Sequence, residues 1–293
     1  MRPTTRSPAG SAAVDVTSSA DPTAPERHTR TPWWKKAAPN ATDIREVVDD
    51  AIAATPPEGR AVMADIWQER AVSELMVAGG FTALTGELLE FGTSDVVLKI
   101  GARAVRDEVH HTEIAVAMAA RFRGDDIKWP APQKFPVPRF APAEGQLRAT
   151  LLVIAMCCIN ETLATGFLEA QMSVAKSPLA RAALQSVLSD EIDHARMGWA
   201  HLASPFVTAG MKAEIGGGNW LPRLFHAKLS DLLEERAPFP GEEYPEHGIL
   251  TRRQRVELVR TCLDDLILPG FERVGIDTKN AREWQKTALA PWS

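Results

Sequence analysis

Two short segments of this chain, Asp107-Glu108-Val109-His110-His111 and Asp190-Glu191-Ile192-Asp193-His194, both read Asp-Glu-x-x-His. A glutamate and a histidine three residues apart stand on one face only if the backbone between them is helical. The repeated motif therefore calls for two helices, each presenting a carboxylate and an imidazole to the same side. With 22 Glu and 7 His in 293 residues, chance supplies roughly 0.5 matches to Glu-x-x-His per chain, and about 0.03 once the preceding Asp is required. The chain holds two, so coincidence is a poor account of them.

The surrounding sequence supplies the helices. Residues 60–92 contain no proline, are dominated by Ala, Leu, Met, Val and Glu, and close at Gly92, which predicts one long helix. Ser94 or Asp95 can cap a second helix running to about Arg123, where Gly124, Asp125 and Asp126 end it. Residues 124–144 then hold Pro130, Pro132, Pro136, Pro138 and Pro142, a spacing that excludes both a continuous helix and a central strand. A third helix is expected over 144–175, a break at Ser177-Pro178, and a fourth helix to about 203. A helix of about 30 residues is about 45 Å long, and a 21-residue connection reaches up to about 70 Å when extended. The proline-rich segment can thus travel the full length of the helices. Two antiparallel hairpins joined by one long crossover form the four-helix bundle of ferritin-like type. The expected architecture is all-α, with that bundle over 41–208. Residues 209–293 form a helical C-terminal extension packed on it, with helices at 221–236, at 251–267 ending near Pro269-Gly270, and at 278–288. Residues 1–40, rich in Pro, Thr, Ser, Ala and Arg, are expected to be a disordered tail, with Trp33 and Trp34 near its end.

Composition narrows the function. Net charge is −5 and no basic run is interleaved with aromatics, so nucleic acid is not an expected partner. No stretch approaches the roughly 20 uncharged apolar residues that span a bilayer, and no membrane association is expected. Cys157, Cys158 and Cys262 fit buried free thiols of a cytoplasmic protein better than a disulfide framework.

Two further carboxylates belong with the motifs. Glu74 is followed by no charged residue until Glu87, and no charge stands between Arg148 and Glu161. A lone carboxylate in such a run needs a partner, because burying it ionised and unpaired is expensive. Counted from the turn near 93, Glu74 stands at about the height of Glu108 and His111. Counted from the turn near 177, Glu161 stands at about the height of Glu191 and His194. Glu69, Glu87 and Glu169 fit less well. Glu74 and Glu161 are each followed five residues later by glycine, at Gly79-Gly80-Phe81 and Gly166-Phe167. Mid-helix glycine costs about 1 kcal/mol relative to alanine, which points to close helix approach or room for a bound molecule. Four carboxylates neutralise two divalent ions. Asp107 and Asp190 can accept the outer N–H of a ligand imidazole, from their own or the facing helix.

This pattern resembles the ferritin-like di-iron carboxylate superfamily, whose shared signature is Glu, Glu-x-x-His, Glu, Glu-x-x-His on four helices, and the resemblance covers about 60–205. It implies that Glu74, Glu108, His111, Glu161, Glu191 and His194 ligate two Fe ions, or an Mn/Fe pair, with O2 as co-substrate. The Asp before each Glu-x-x-His is similar to bacterial multicomponent monooxygenases, and Thr165 stands where those enzymes keep a catalytic threonine. The p-aminobenzoate N-oxygenases are matched incompletely, since Val187 stands where they carry a further histidine. Within the superfamily, Tyr244 is the only tyrosine and falls outside the bundle, and no Cys-x-x-Cys occurs. The radical-subunit and rubrerythrin-like branches are therefore poor matches. The resemblance implies an oxidase or oxygenase acting on a small organic substrate, with an external electron donor and a homodimer as further expectations. An iron-binding or ferroxidase protein without organic substrate is the alternative. Phe81, Met156, Cys157 and Phe167 are candidate pocket residues, each more often plain core. His110 is expected on the surface, and His201, on the stripe of His194, is a minor candidate for the site's surroundings.

Overall fold

The computed structural model describes Ile44 and residues 47–132, 134–235 and 237–292, and the tail expected over 1–40, with Trp33 and Trp34, lies outside them. The described residues belong to one compact unit, Asn40–Ser293. Their regular secondary structure is all helical, with no strand among them.

A short helix α1, Asp50–Ala54, is capped by the Asp49 carboxylate, which accepts from Ala51 N. Helix α2, Pro57–Phe91, opens with proline in its first turn, where a missing N–H leaves no bond unmade. It stops at Gly92, whose φ of 96° suits glycine. Helix α3, Asp95–Arg123, is capped by Ser94 at one end and closed by left-handed Gly124 at the other. After the proline-rich crossing comes a third long stretch in three parts: α4, Gly145–Val153, a π-helical segment Ile154–Glu161, and α5, Thr162–Val174. Helix α6, Pro178–Ala203, starts behind the Ser177 cap. Helix α2 packs along α3, α6 packs along the third stretch, α3 meets α6, and α2 meets α4.

The interior consists of two apolar clusters with a polar layer between them. On α2, Ala71 belongs to one cluster and Phe81 to the other, with Glu74 between. On α3, Glu108 and His111 fall between Ala104 and Ile114, and on α6, Glu191 and His194 fall between Val187 and Met197. The motif residues thus sit at one level, flanked above and below by close-packed hydrocarbon.

The run Gly145–Val174 is long and apolar enough to cross a membrane by length and composition, and 67% of its most apolar window is buried inside the protein. It is not an uncharged run of the kind the sequence reading excluded. Glu161 interrupts it.

Beyond α6 lie α7, Ala209–Gly217, α8, Trp220–Glu234, α9, Arg252–Cys262, and α10, Leu268–Arg273, with a π-helical turn Leu263–Ile267 joining the last two. Helix α11, Lys279–Leu289, follows. Two features depart from the sequence reading. Helix α7 is not expected from pattern, because it buries only Ile215 and Gly216 and so shows no apolar period. The helix from 252 also runs on through Pro269-Gly270 instead of ending there. Leu268 N bonds back to Leu263 O, five residues away, so the widened turn comes where the proline would otherwise break the regular ladder.

Candidate metal centre

Each helix that carries an Asp-Glu-x-x-His motif turns its Glu and His inward. Glu108, His111, Glu161, Glu191 and His194 are at most 3% exposed, and Glu74 is 9% exposed. Ligand atoms of Glu74, Glu108, His111 and Glu191 lie within 4.8 Å of one another, and so do those of Glu108, Glu161, Glu191 and His194. The two groups share Glu108 and Glu191, and each adds one glutamate and one histidine of its own. All six residues proposed from sequence as ligands are therefore brought together, in two overlapping sets.

The imidazoles face this cluster with Nδ1. Nδ1 of His111 is 3.4 Å from both Glu108 Oε2 and Glu191 Oε1. Nδ1 of His194 is 3.2 Å from Glu108 Oε1 and 3.0 Å from Glu191 Oε2. The opposite ring nitrogens face the motif aspartates of the partner helix. His111 Nε2 hydrogen-bonds Asp190 Oδ2 at 3.3 Å, and His194 Nε2 stands 3.5 Å from Asp107 Oδ2. Of the two placements open from sequence, the facing helix is the one realised. Asp107 is itself held by Arg103 at 3.2 Å and Arg106 at 3.1 Å. Burial opposes its ionisation, but contacts with His194 and Arg106 keep its pKa below the usual value.

The outer glutamates are each held on Oε1 from their own helix. Arg70 Nε donates to Glu74 at 2.8 Å, and Asn160 Nδ2 donates to Glu161 at 3.0 Å. Glu161 closes the π-helical segment, a backbone form that gathers at functional sites.

The buried groups shift one another's titration. Burial, reinforced by Glu191 and Glu108, pushes the Glu161 pKa well up. Burial lowers the affinity of His111 for a proton, yet Asp190 and Glu108 outweigh it and raise its pKa to about 10. His194 is likewise raised against burial by Asp107, Glu108 and Glu191. Both carboxylate oxygens of Glu108 and Nδ1 of His111 are buried with no hydrogen-bond partner. Orphaned polar atoms at the centre of a buried cluster are the donor set that a cation satisfies once the imidazole gives up its proton. The buried Glu/His cluster is thus compatible with a metal site.

A cavity of about 930 Å³ opens on Glu74, Glu161 and Glu191. Met156 and Phe167 line it, as the sequence suggested, whereas Phe81 and Cys157 do not. Phe81 is fully buried with its ring centroid 5.0 Å from that of His194. Cys157, Cys158 and Cys262 are free and buried. Thr165 is half-buried, donates to Glu161 O at 2.9 Å, and belongs neither to the cluster nor to the cavity wall. His201 lies apart, bonded to Thr93 at 2.8 Å and Thr150 at 3.3 Å. His110 is exposed beside Glu113. Glu87 pairs with Arg148, and Glu169 is exposed.

Arg70, Asn160, Lys228 and Arg255 were not read from sequence as site residues. Arg70 stands one turn before Glu74 and Asn160 directly before Glu161, so their partners were legible locally. Lys228 and Arg255 reach the cavity wall from α8 and α9, and no spacing signals that. Comparison with protein-family models, curated proteins and solved structures finds no match for this chain.

Proposed function

We propose that the chain is a ferritin-like di-iron protein that activates O2 to oxidise a small organic substrate. The observation that carries this reading is the pair of four-residue ligand groups that share Glu108 and Glu191, beside a cavity large enough for a substrate. Glu74, Glu108, His111 and Glu191 would hold one ion, and Glu108, Glu161, Glu191 and His194 the other. An iron pair bound there supplies the electrons that reduce O2, and an external donor restores them.

The protein's own part is placement. Asp190 and Asp107 fix each imidazole so that Nδ1 faces inward, and an accepting carboxylate on the outer nitrogen raises ligand basicity. Arg70 and Asn160 hold one oxygen of each outer glutamate. The apolar clusters on either side exclude water, so the cavity is the route by which a substrate meets the centre.

Elemental analysis of the purified chain tests the metal, with about two irons per chain expected and loss in Glu108→Ala and Glu191→Ala. Oxygen uptake by the Fe(II)-loaded chain then separates the classes. Uptake that stops after one turnover at two irons fits an oxidase awaiting substrate and reductant, whereas deposition of many irons per chain would sink the oxidase reading and leave iron storage.

A further inference from the structure

The cavity wall carries an imbalance of charge that the metal centre does not use. Its acidic side chains are Glu69, Glu74, Glu161 and Glu191, and its strongly basic ones are Arg70, Lys228 and Arg255. Glu74, Glu161 and Glu191 belong to the ligand groups, so binding of divalent ions commits their charge. What then remains on the wall is three cations facing Glu69. Of these, Arg70 is held by Glu74 at 2.8 Å. Lys228 makes no hydrogen bond or close ion pair with any described residue, and only the charges of Glu161 and Glu74 attract it at longer range.

Arg255 is also without an acidic partner among the described residues. Its Nε donates to Leu250 O at 3.2 Å, and its guanidinium lies 3.7 Å from the Phe239 ring centroid and 5.7 Å from that of Phe167. Stacking on two rings fixes the fork while leaving its terminal N–H groups available. Lys228 is exposed at the cavity wall, and the protein packed around it lowers its pKa while Glu161 and Glu74 pull the other way. Once Glu74 and Glu161 are committed to the ions, an anion entering the cavity is the counter-charge left for this ammonium. Most of the rest of the wall is apolar or aromatic, with Trp67, Phe135, Met156, Phe167 and Phe239. Ser73, Asn160, Gln171 and His247 are its other polar members.

We propose that this cavity binds a small organic carboxylate with an apolar, preferably aromatic, body, its anionic group anchored by Lys228 with Arg255 as the second cation. The body lies on the aromatic wall, which brings its carbon atoms beside the centre formed by Glu74, Glu161 and Glu191. The proposal gives a substrate class to the function proposed above and rests on that reading for the neutralisation of the three glutamates.

The test is calorimetric titration of the full chain with 4-phenylbutyrate and with its neutral amide, 4-phenylbutanamide, on protein loaded anaerobically with Fe(II) and on protein stripped of metal. The loaded chain is expected to bind the acid at least about tenfold more tightly than the amide. Lys228→Met should lose that preference and Lys228→Arg should keep most of it, with Arg255→Gln weakening the acid alone. Far-ultraviolet circular dichroism and iron content, expected unchanged in Lys228→Met, separate a binding defect from a folding defect. Equal affinity for acid and amide, no binding of either, or full preference in Lys228→Met overturns the proposal. The iron count reads the metal separately. Iron at about two per chain without acid preference sinks only the substrate class, and acid preference through Lys228 in a chain that takes no iron sinks only the di-iron reading.

Discussion

His111 on α3 turns its Nε2 to the Oδ2 of Asp190 on α6, 3.3 Å away, while its Nδ1 faces the buried glutamates. His194 and Asp107 repeat the relationship in the opposite direction at 3.5 Å. Each motif thus supplies its histidine to the cluster and its aspartate to the other helix's histidine. Asp190→Asn and Asp107→Asn should each weaken metal binding about 10- to 100-fold, measured by competition with a chromogenic chelator. Asp107→Asn should also cost more stability in urea unfolding, because Asp107 is 3% exposed and braced by two arginines. Equal metal affinity in all three proteins would show that the aspartates do not tune the ligands.

Sharing of Glu108 and Glu191 between the two groups separates the ligands into two classes. Glu108→Ala or Glu191→Ala should abolish binding of both ions, since each position loses a donor. Glu74→Ala or Glu161→Ala should leave about one ion per chain, because the other group remains intact. Elemental analysis reads the difference, and a single stoichiometry across all four variants would contradict the shared arrangement.

Metal uptake should release protons and tighten as pH rises. In the metal-free chain the raised pKa of about 10 keeps His111 protonated at neutral pH, and His194 is raised as well. Because the folded pKa of His111 exceeds its unfolded value near 6.5, the stability it lends the metal-free chain is fully present below about 6.5 and lost as pH climbs through about 10. A cation needs the imidazole neutral, so it competes with those protons. Calorimetry of Mn(II) binding in buffers of different ionisation heat should count the protons released, and pH-independent affinity between 6 and 9 would argue against Nδ1 ligation.

His201 predicts the opposite slope. Burial lowers its pKa from 6.5 to about 4, and Thr93 and Thr150 hold both ring nitrogens of the neutral form. The unfolded chain therefore binds the extra proton first, and stability is lost as pH falls from about 6.5 towards 4. The full loss from this one group is about 3 kcal/mol. Thermal melts of the parent and His201→Gln across that range should converge as the pH drops, and a constant gap between them would remove His201 from the account.

Gly198 on α6 touches the π-helical segment so closely that an added Cβ would stand 2.7 Å from Cys157 Cβ and 3.0 Å from Cys158 N. A backbone atom cannot swing aside as a side-chain end can. Gly198→Ala should cost about 1–3 kcal/mol in denaturant unfolding and loosen metal binding by displacing Glu161, whereas a neutral outcome would mean that the segment yields easily.

What the sequence determined was local and periodic. The Asp-Glu-x-x-His pair set two helices and their inward faces, the prolines between 130 and 142 set the long crossing, and Glu74 and Glu161 stood out as lone charges in apolar runs. Each of these follows from helix geometry or from the cost of burying charge, and neither needs a neighbour to be known. The tertiary structure alone decided the rest. It placed each aspartate on the facing helix, made Glu108 and Glu191 common to both groups, and carried the α9 helix through Pro269 by a widened turn. It also brought Lys228 and Arg255 to the cavity over Glu74 and Glu161. Contacts between residues far apart in the chain depend on how helices cross and rotate against one another, and a single sequence carries no periodic signature of that.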